Sequence, residues 1–236
     1  ILVDFPDEPG VIDAPEVRAY FNDPDYRSYG NNGSVMKYFW DVSNGKLLVT
    51  NTVVNYVRMP KEKNYYDNPN LSMGEAMDLL VQDVFAVLQT YPDWPQIQLT
   101  LSTASPVYFF YAGTPNGPWS QGLWPNSGGL VNIGDSLALG TMCHEMGHTV
   151  CGFPDLYDYD FDSVGVGGFC IMSGAGGGNP PPPCGPLRVG AGWLDTQEMG
   201  SGRITVSTDD SFLYKYTNPS DSGEYYLFEH MKQVGR

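Results

Sequence analysis

Apolar positions in this chain fall into short runs separated by turn-forming residues, and their spacing assigns most of the regular elements. Ile1-Leu2-Val3-Asp4-Phe5 is nearly continuous in apolar character and predicts a buried strand. A short helix is expected near residues 14–21. Gly30-Asn31-Asn32-Gly33 reads as a turn, after which Ser34 can cap a helix through Asp41. Asn44-Gly45 has the composition of a hairpin turn and leads into a strand-like stretch at residues 46–56. Ser72 followed by Glu75 is a capping-box pattern that opens a long helix to about Gln89. Along it Leu80, Val81, Val84, Phe85 and Leu88 recur at helical spacing and should face a core. Residues 107–111 predict a short buried strand ending at Gly113. A third helix is expected over residues 135–150, stopped by Gly152 and Pro154. The remainder is Gly-rich, contains four consecutive prolines at 180–183, and carries strand-like runs at 203–207, 212–216 and 224–230. There is no internal repeat.

Composition narrows the class. The 236 residues include 27 Asp and Glu against 12 Lys and Arg, a formal charge of −15. Such an excess repels polyanions, which makes nucleic acid and anionic membrane surfaces poor partners. Gly (28) and Pro (19) far exceed the usual share, while 42% hydrophobic and 14% aromatic residues exclude a disordered composition. The expectation is a packed core with many shaped loops. No apolar run approaches the ~18 residues of a membrane helix, so no membrane insertion is expected. Both ends look cut, because residue 1 is Ile, no basic leader is present, and strand-like runs reach close to each end. A mature product or a fragment of a longer precursor is therefore expected.

Four cysteines in an acidic, Gly- and Pro-rich chain point to an oxidising compartment and to disulfide bonds. Cys143 and Cys151 are eight residues apart on the third helix, about 12 Å at 1.5 Å per residue. A disulfide tolerates at most ~7 Å between Cα atoms, so these two should not join. If two bridges form, Cys143–Cys184 with Cys151–Cys170, or Cys143–Cys170 with Cys151–Cys184, remain.

The chemistry concentrates at Thr141-Met142-Cys143-His144-Glu145-Met146-Gly147-His148. Two imidazoles four residues apart lie on one helical face and can grip one cation. Neutral imidazole suits Zn²⁺, which then needs a third protein ligand and an open position for water. Glu145 sits roughly 100° around the helix from His144, beside the metal rather than on it, where it can take a proton from the zinc-bound water and pass it to a leaving amine. Two of the chain's 3 histidines occupy this motif. The third, His230, is expected to be a surface or packing residue. The helix breaks at Gly152 so that the chain can double back, and Asp155 follows. Further on, Gly168-Phe169-Cys170-Ile171-Met172-Ser173-Gly174 supplies a Met in a tight turn.

His144-Glu145-Met146-Gly147-His148-Thr149-Val150-Cys151-Gly152-Phe153-Pro154-Asp155-Leu156-Tyr157-Asp158 resembles the active-site signature of the immune inhibitor A (thuringilysin-like) metalloproteases, secreted relatives of the metzincins with Asp as third zinc ligand. Cys170-Ile171-Met172-Ser173 resembles the metzincin Met-turn. Looser likeness runs through Ile1-Leu2-Val3-Asp4-Phe5-Pro6, Asn31-Asn32-Gly33-Ser34-Val35, Asp41-Val42-Ser43-Asn44-Gly45-Lys46, Tyr111-Ala112-Gly113, Gly190-Ala191-Gly192-Trp193 and Glu224-Tyr225-Tyr226-Leu227. The resemblance implies His144, His148 and Asp155 as ligands, Glu145 as general base and acid, and Met172 as the packing floor. One departure stands out. The family pattern puts the Gly three residues and the acid six after the second His, whereas here Cys151 intervenes and Asp155 lies seven after. Asp158 and Glu229 are the alternative third ligands. By the same resemblance Cys151–Cys170 is the favoured disulfide.

The family's stretch before Tyr111-Ala112-Gly113 is often rich in Asp and Gly, but residues 98–105 contain no acid, so no calcium site is expected there. Asp155, Asp158, Asp160 and Asp162 alternate along the loop after the third helix; hard carboxylate oxygens at that spacing could hold Ca²⁺, or the loop could simply be solvated and bring one ligand to zinc. The prolines at 180–183 form a stiff left-handed segment, read as a rigid surface loop, while the metzincin resemblance implies that it could help wall the pocket below the Met-turn.

These readings converge on an α/β, metzincin-like zinc metalloprotease catalytic domain that is secreted or extracellular. Residues 1–151 would form an N-terminal subdomain with a twisted, mostly parallel sheet, a backing helix at 72–89 and the active-site helix. Residues 152–236 would form a loop-rich C-terminal subdomain with the Met-turn. Its partner would be a protein or peptide substrate. The alternatives are a non-proteolytic surface or filament-forming domain that keeps the fold, and a zinc hydrolase acting on something other than proteins.

Overall fold

The computed structural model describes residues 1–115, 129–134, 136–160, 162–174, 176–200, 202–207 and 212–230. It is a mixed α/β structure whose packing divides the chain into two compact units interleaved in sequence. Ile1–Asn22, Asn51–Leu137 and His148–Val150 form the first; Asp23–Thr50, Ala138–Gly147 and Cys151–Arg236 form the second.

The first unit is built on a four-stranded sheet of β1 (Leu2–Asp4), β2 (Val57–Arg58), β3 (Phe109–Tyr111) and β4 (Leu130–Asn132), ordered β2-β1-β3-β4. Every pairing in it is parallel, with Val3 opposite Val57, Leu2 opposite Phe110 and Phe110 opposite Val131. Strands buried on both faces read as continuous apolar runs, as Ile1-Leu2-Val3 does. The helices of this unit are α1 (Ala14–Asn22), α3 (Lys63–Tyr66), α4 (Met73–Leu88) and α5 (Trp94–Thr103). Helix α4 has the expected capping box: Ser72 accepts from the Glu75 N–H, and the Glu75 carboxylate accepts from the Ser72 N–H. Its Ala76, Leu80, Val84 and Leu88 are fully buried in the cluster that holds Val3, Phe5, Val57, Phe109 and Tyr111, while Val81 and Phe85 pack at its margin. Helix α1 presses Phe21 edge-on to Phe110, with ring centroids 5.5 Å apart.

Two sequence expectations fail around residues 44–56, each for its own reason. Asn44 (φ 53°) and Gly45 (φ 73°) do adopt left-handed backbone. They terminate a helix rather than turn a hairpin, the Gly45 N–H donating 2.8 Å back to the Trp40 carbonyl. The stretch at 46–56 is not a strand, because helix α1 side chains take backbone groups that a neighbouring strand would need. Arg18 donates to the Val53 carbonyl, Asn22 donates to the Asn51 carbonyl, and the Asn51 N–H donates to Asn22 Oδ1. Residues 202–207 are likewise irregular.

In the second unit Ser34 caps α2 (Val35–Val42), accepting from the Lys37 N–H. Helix α6 (Leu139–Cys151), apart from His148–Val150, and α7 (Gly185–Gly190) follow. Asp135 lies outside the described residues, but residues 136–138 are irregular, so this helix begins at Leu139, later than the sequence reading of 135. A second sheet has β5 (Asp195–Glu198) parallel to β6 (Phe212–Asn218) and β6 antiparallel to β7 (Asp221–Phe228). The turn at 30–33 and the Gly-rich segment are tied together, Asn32 N–H donating 2.8 Å to the Gly178 carbonyl. A Cβ on Gly178 would lie 2.1 Å from the Gly30 carbonyl oxygen, so only glycine permits this approach.

Candidate metal centre

Helix α6 is anchored at its first turn by two acceptors: Asn31 Oδ1 takes the Leu139 N–H at 3.1 Å, and the Gly177 carbonyl takes the Gly140 N–H at 2.8 Å. These satisfy amide groups that every helix start leaves without an intrahelical partner. Its middle rests on Met172, which is wholly buried; a Cβ on Gly147 would come 2.7 Å from Met172 Sδ. Met172 therefore lies beneath the turn between the two histidines.

The helix exit accommodates the extra residue. Gly152 takes φ +69°, and the Phe153 N–H donates 3.0 Å to the Gly147 carbonyl six residues back. A Schellman exit spans five residues, so this turn is wider by one. The Leu156 N–H then donates 2.7 Å to the Met172 carbonyl, docking the returning segment on the turn at Met172. Asp155 is thereby brought to the histidines. One ligand atom each from His144, His148 and Asp155 lies within 4.8 Å of the others, and all three side chains are half-buried.

The orientation of His144 is fixed from behind. Its Nδ1 is 2.8 Å from the Ile171 carbonyl oxygen. A carbonyl only accepts, so Nδ1 carries the hydrogen and a neutral ring presents its Nε2 lone pair on the other side. That lone pair faces Asp155 Oδ1 at 3.1 Å. Two electron-rich atoms at this separation call for a positive charge, either a proton on the ring or a cation held by both. Zn²⁺ at ~2.0–2.1 Å from tetrahedral ligands leaves ligand atoms ~3.3 Å apart, close to the spacing found. The donor set of two imidazoles and a carboxylate thus fits zinc, and the His144–Ile171 contact is the kind of outer bond that orients a zinc-binding imidazole. Asp155 is oriented in turn by Tyr157, whose hydroxyl donates 3.0 Å to Oδ2. That bond, the burial of the phenol and the nearby charges of Asp155, Tyr159 and Glu145 raise the Tyr157 pKa, keeping its proton in place. Glu145 occupies the half-buried flank of the same helix, one residue from His144.

The acidic loop separates into two groups. Asp155 goes to the histidines, while Asp158, Asp160 and Asp162 bring carboxylate oxygens within 4.8 Å of one another. Asp158 accepts the Ser163 N–H at 2.7 Å, and the Ser163 hydroxyl and amide together with Asp160 and Asp162 hold its carboxyl down at about 2. Glu229 is bound to Arg188. Neither alternative third ligand is among the three residues brought together. His230 is exposed, beyond the end of β7.

The four cysteines stand as thiols. Cys143 and Cys151 occupy different turns of α6, and burial pushes the Cys151 thiol up to about 12. Cys170 sits against Cys184, not Cys151: the Cys184 N–H donates to Cys170 Sγ at 3.2 Å. Hydrogen bonding from the Cys184 thiol, against the opposing effect of burial, holds Cys170 down at about 6 and raises Cys184. The favoured Cys151–Cys170 pairing is corrected accordingly. The proline run is also more than a surface loop, since the Pro182 carbonyl accepts from the Ile171 N–H at 3.2 Å and the Pro181 carbonyl from Tyr38 at 2.8 Å. Sequence reasoning missed Tyr157 and Asn31, although Tyr157 stands two residues beyond a proposed ligand. No family model matches the chain, and no curated protein matches it.

Proposed function

We propose that this chain is the catalytic domain of a secreted zinc endopeptidase with a metzincin-like fold, related to the immune inhibitor A metalloproteases it resembles. The observation that carries the reading is the convergence of His144, His148 and Asp155, with the His144 Nε2 lone pair turned toward Asp155 Oδ1 at 3.1 Å. His144, His148 and Asp155 would hold the ion. Zinc bound there supplies Lewis acidity, polarising a peptide carbonyl and bringing a water pKa to about 7. Glu145 takes the proton of the attacking water and delivers it to the leaving amine nitrogen. Ile171 keeps His144 in the tautomer that offers Nε2, and Tyr157 holds Asp155 Oδ2 so that Oδ1 stays turned to the histidines. The acidic, cysteine-containing composition supports the secreted placement.

The test is hydrolysis of casein by the purified chain beside Glu145→Ala, with zinc measured in both. The expected result is about one zinc per chain in each protein and cleavage by the wild type alone. Zinc without cleavage in the wild type would favour the non-proteolytic structural domain, and no zinc in either would overturn the metal centre.

A further inference from the structure

Cys170 and Cys184 bracket the segment that carries the Met-turn and the proline run, and their meeting has no part in the chemistry proposed above. Cys184 N lies 3.2 Å from Cys170 Sγ, and the N–Cα bond adds ~1.46 Å, so Cys184 Cα is within about 4.7 Å of that sulfur. The Cys184 side chain, which leaves from that Cα, therefore starts beside the Cys170 sulfur. The interaction of the two thiols lowers the Cys170 pKa and raises that of Cys184. Both chain directions are fixed nearby: the Ile171 N–H is bound to the Pro182 carbonyl, and Cys184 leads directly into helix α7, whose Leu187 N–H donates back to the Cys184 carbonyl at 3.0 Å. Little backbone movement separates the thiol pair from a bond.

We propose that Cys170 and Cys184 form a disulfide that clamps the Met-turn beneath helix α6. A low-molecular-weight disulfide is the oxidant. The Cys170 sulfur attacks one sulfur of oxidised glutathione, forming a mixed disulfide and releasing one glutathione thiol. The Cys184 sulfur then attacks Cys170 Sγ, expelling the second glutathione. Two cysteine thiols and one glutathione disulfide become one protein disulfide and two glutathione thiols, so hydrogens and electrons balance. The bond closes a loop across a separation of 14 residues, one residue before the Ile171 carbonyl that orients His144 and two before Met172. Its formation does not depend on the zinc reading; its consequence for His144 rests on that reading.

The full chain is incubated with oxidised glutathione, alkylated, digested without reductant and mapped by mass spectrometry. A Cys170–Cys184 linked peptide pair is expected, with Cys143 and Cys151 alkylated. In Cys184→Ser the link is lost and Cys170 carries glutathione. The oxidised wild type melts on the order of 5–10 °C above its reduced form, and Cys184→Ser shows no such difference. A Cys151–Cys170 link, or alkylation of both Cys170 and Cys184 after oxidation, would overturn the assignment. A correct link with no change in melting would overturn the clamp. Transfer of zinc to a chelator is measured on the same samples, and slower transfer from the oxidised form is expected. Failure of the chain to take up zinc would remove the endopeptidase reading and leave the mapped bond standing.

Discussion

Gly147→Ala isolates the contact between helix α6 and the Met172 side chain beneath it. Two opposing effects act at this position. Replacing a helix-interior Gly by Ala contributes about 1 kcal/mol of stability through reduced backbone entropy. The new Cβ, however, would stand 2.7 Å from Met172 Sδ and 3.4 Å from its Cε, with Phe153 Cδ2 at 3.7 Å. Ordinary non-bonded contacts between heavy atoms lie near 3.5–4.0 Å, so the sulfur must retreat by about 1 Å. Met172 is completely buried, and its turn is held by the Ile171–Pro182 and Leu156–Met172 backbone bonds. Overpacking at such a place costs about 1–3 kcal/mol. The crowding outweighs the helix gain, and a net loss of about 1 kcal/mol is expected, or about 2–4 °C in a chain of this size. Urea unfolding of the metal-free protein measures it, and a double-mutant cycle with Met172→Ala assigns it. With the sulfur gone, Gly147→Ala should become stabilising, giving a coupling of about 1–3 kcal/mol. If Gly147→Ala stabilised the wild type as much as it stabilises Met172→Ala, the reasoning would fail.

Three further outcomes are expected. Tyr157→Phe removes the donor to Asp155 Oδ2 and should weaken zinc binding about 10–100-fold by chelator competition, with unchanged urea unfolding of the metal-free chain. Leu80→Ala empties a fully buried position under the parallel sheet and should cost about 2–5 kcal/mol in urea unfolding with zinc content unchanged. The Asp158 carboxyl, held at about 2 against an ordinary 3.8, favours the folded loop in full above pH ~4–5 and loses that contribution as pH falls through 2. Its carboxyl ¹³C resonance should titrate near 2, Ser163→Ala should move the midpoint upward, and a wild-type midpoint near 4 would contradict the Ser163 contact.

What the sequence made legible was whatever short-range chemistry decides. Ser72 and Glu75 satisfy each other within one turn, so the start of α4 follows from four residues. His144 and His148 share a helix face at any location in a fold. Residues 46–56 have apolar content that suits a strand, but their backbone partners include side chains on α1, about 30 residues earlier, and no local pattern reveals that. Helix α5 escaped notice because none of its residues is fully buried and its Trp94, Ile97 and Leu101 pack only partly against the core. Asp155 was legible only through resemblance, since the wide exit turn that delivers it depends on the Gly147 carbonyl and on docking to Met172. The cysteine pairing went astray on the premise that all four residues are bridged. With Cys143–Cys151 excluded, that premise forbids Cys170–Cys184, which is where the chain brings two sulfurs together.

The order of strands in the first sheet constrains how the protein can be made. β1 gains one neighbour when Val57 emerges and its other only at Phe110, and Phe110 must still wait for Val131. At ~5–20 residues per second, a ribosome leaves the Ile1–Phe5 run without its second flanking strand for roughly 5–20 s. Parallel pairing across such separations also carries a large loop-closure penalty before any contact offsets it. Throughout that interval the nascent chain displays an apolar strand with an open edge, the form most prone to intermolecular pairing. That interval makes β1, rather than helix α6, the element most exposed to intermolecular pairing during synthesis.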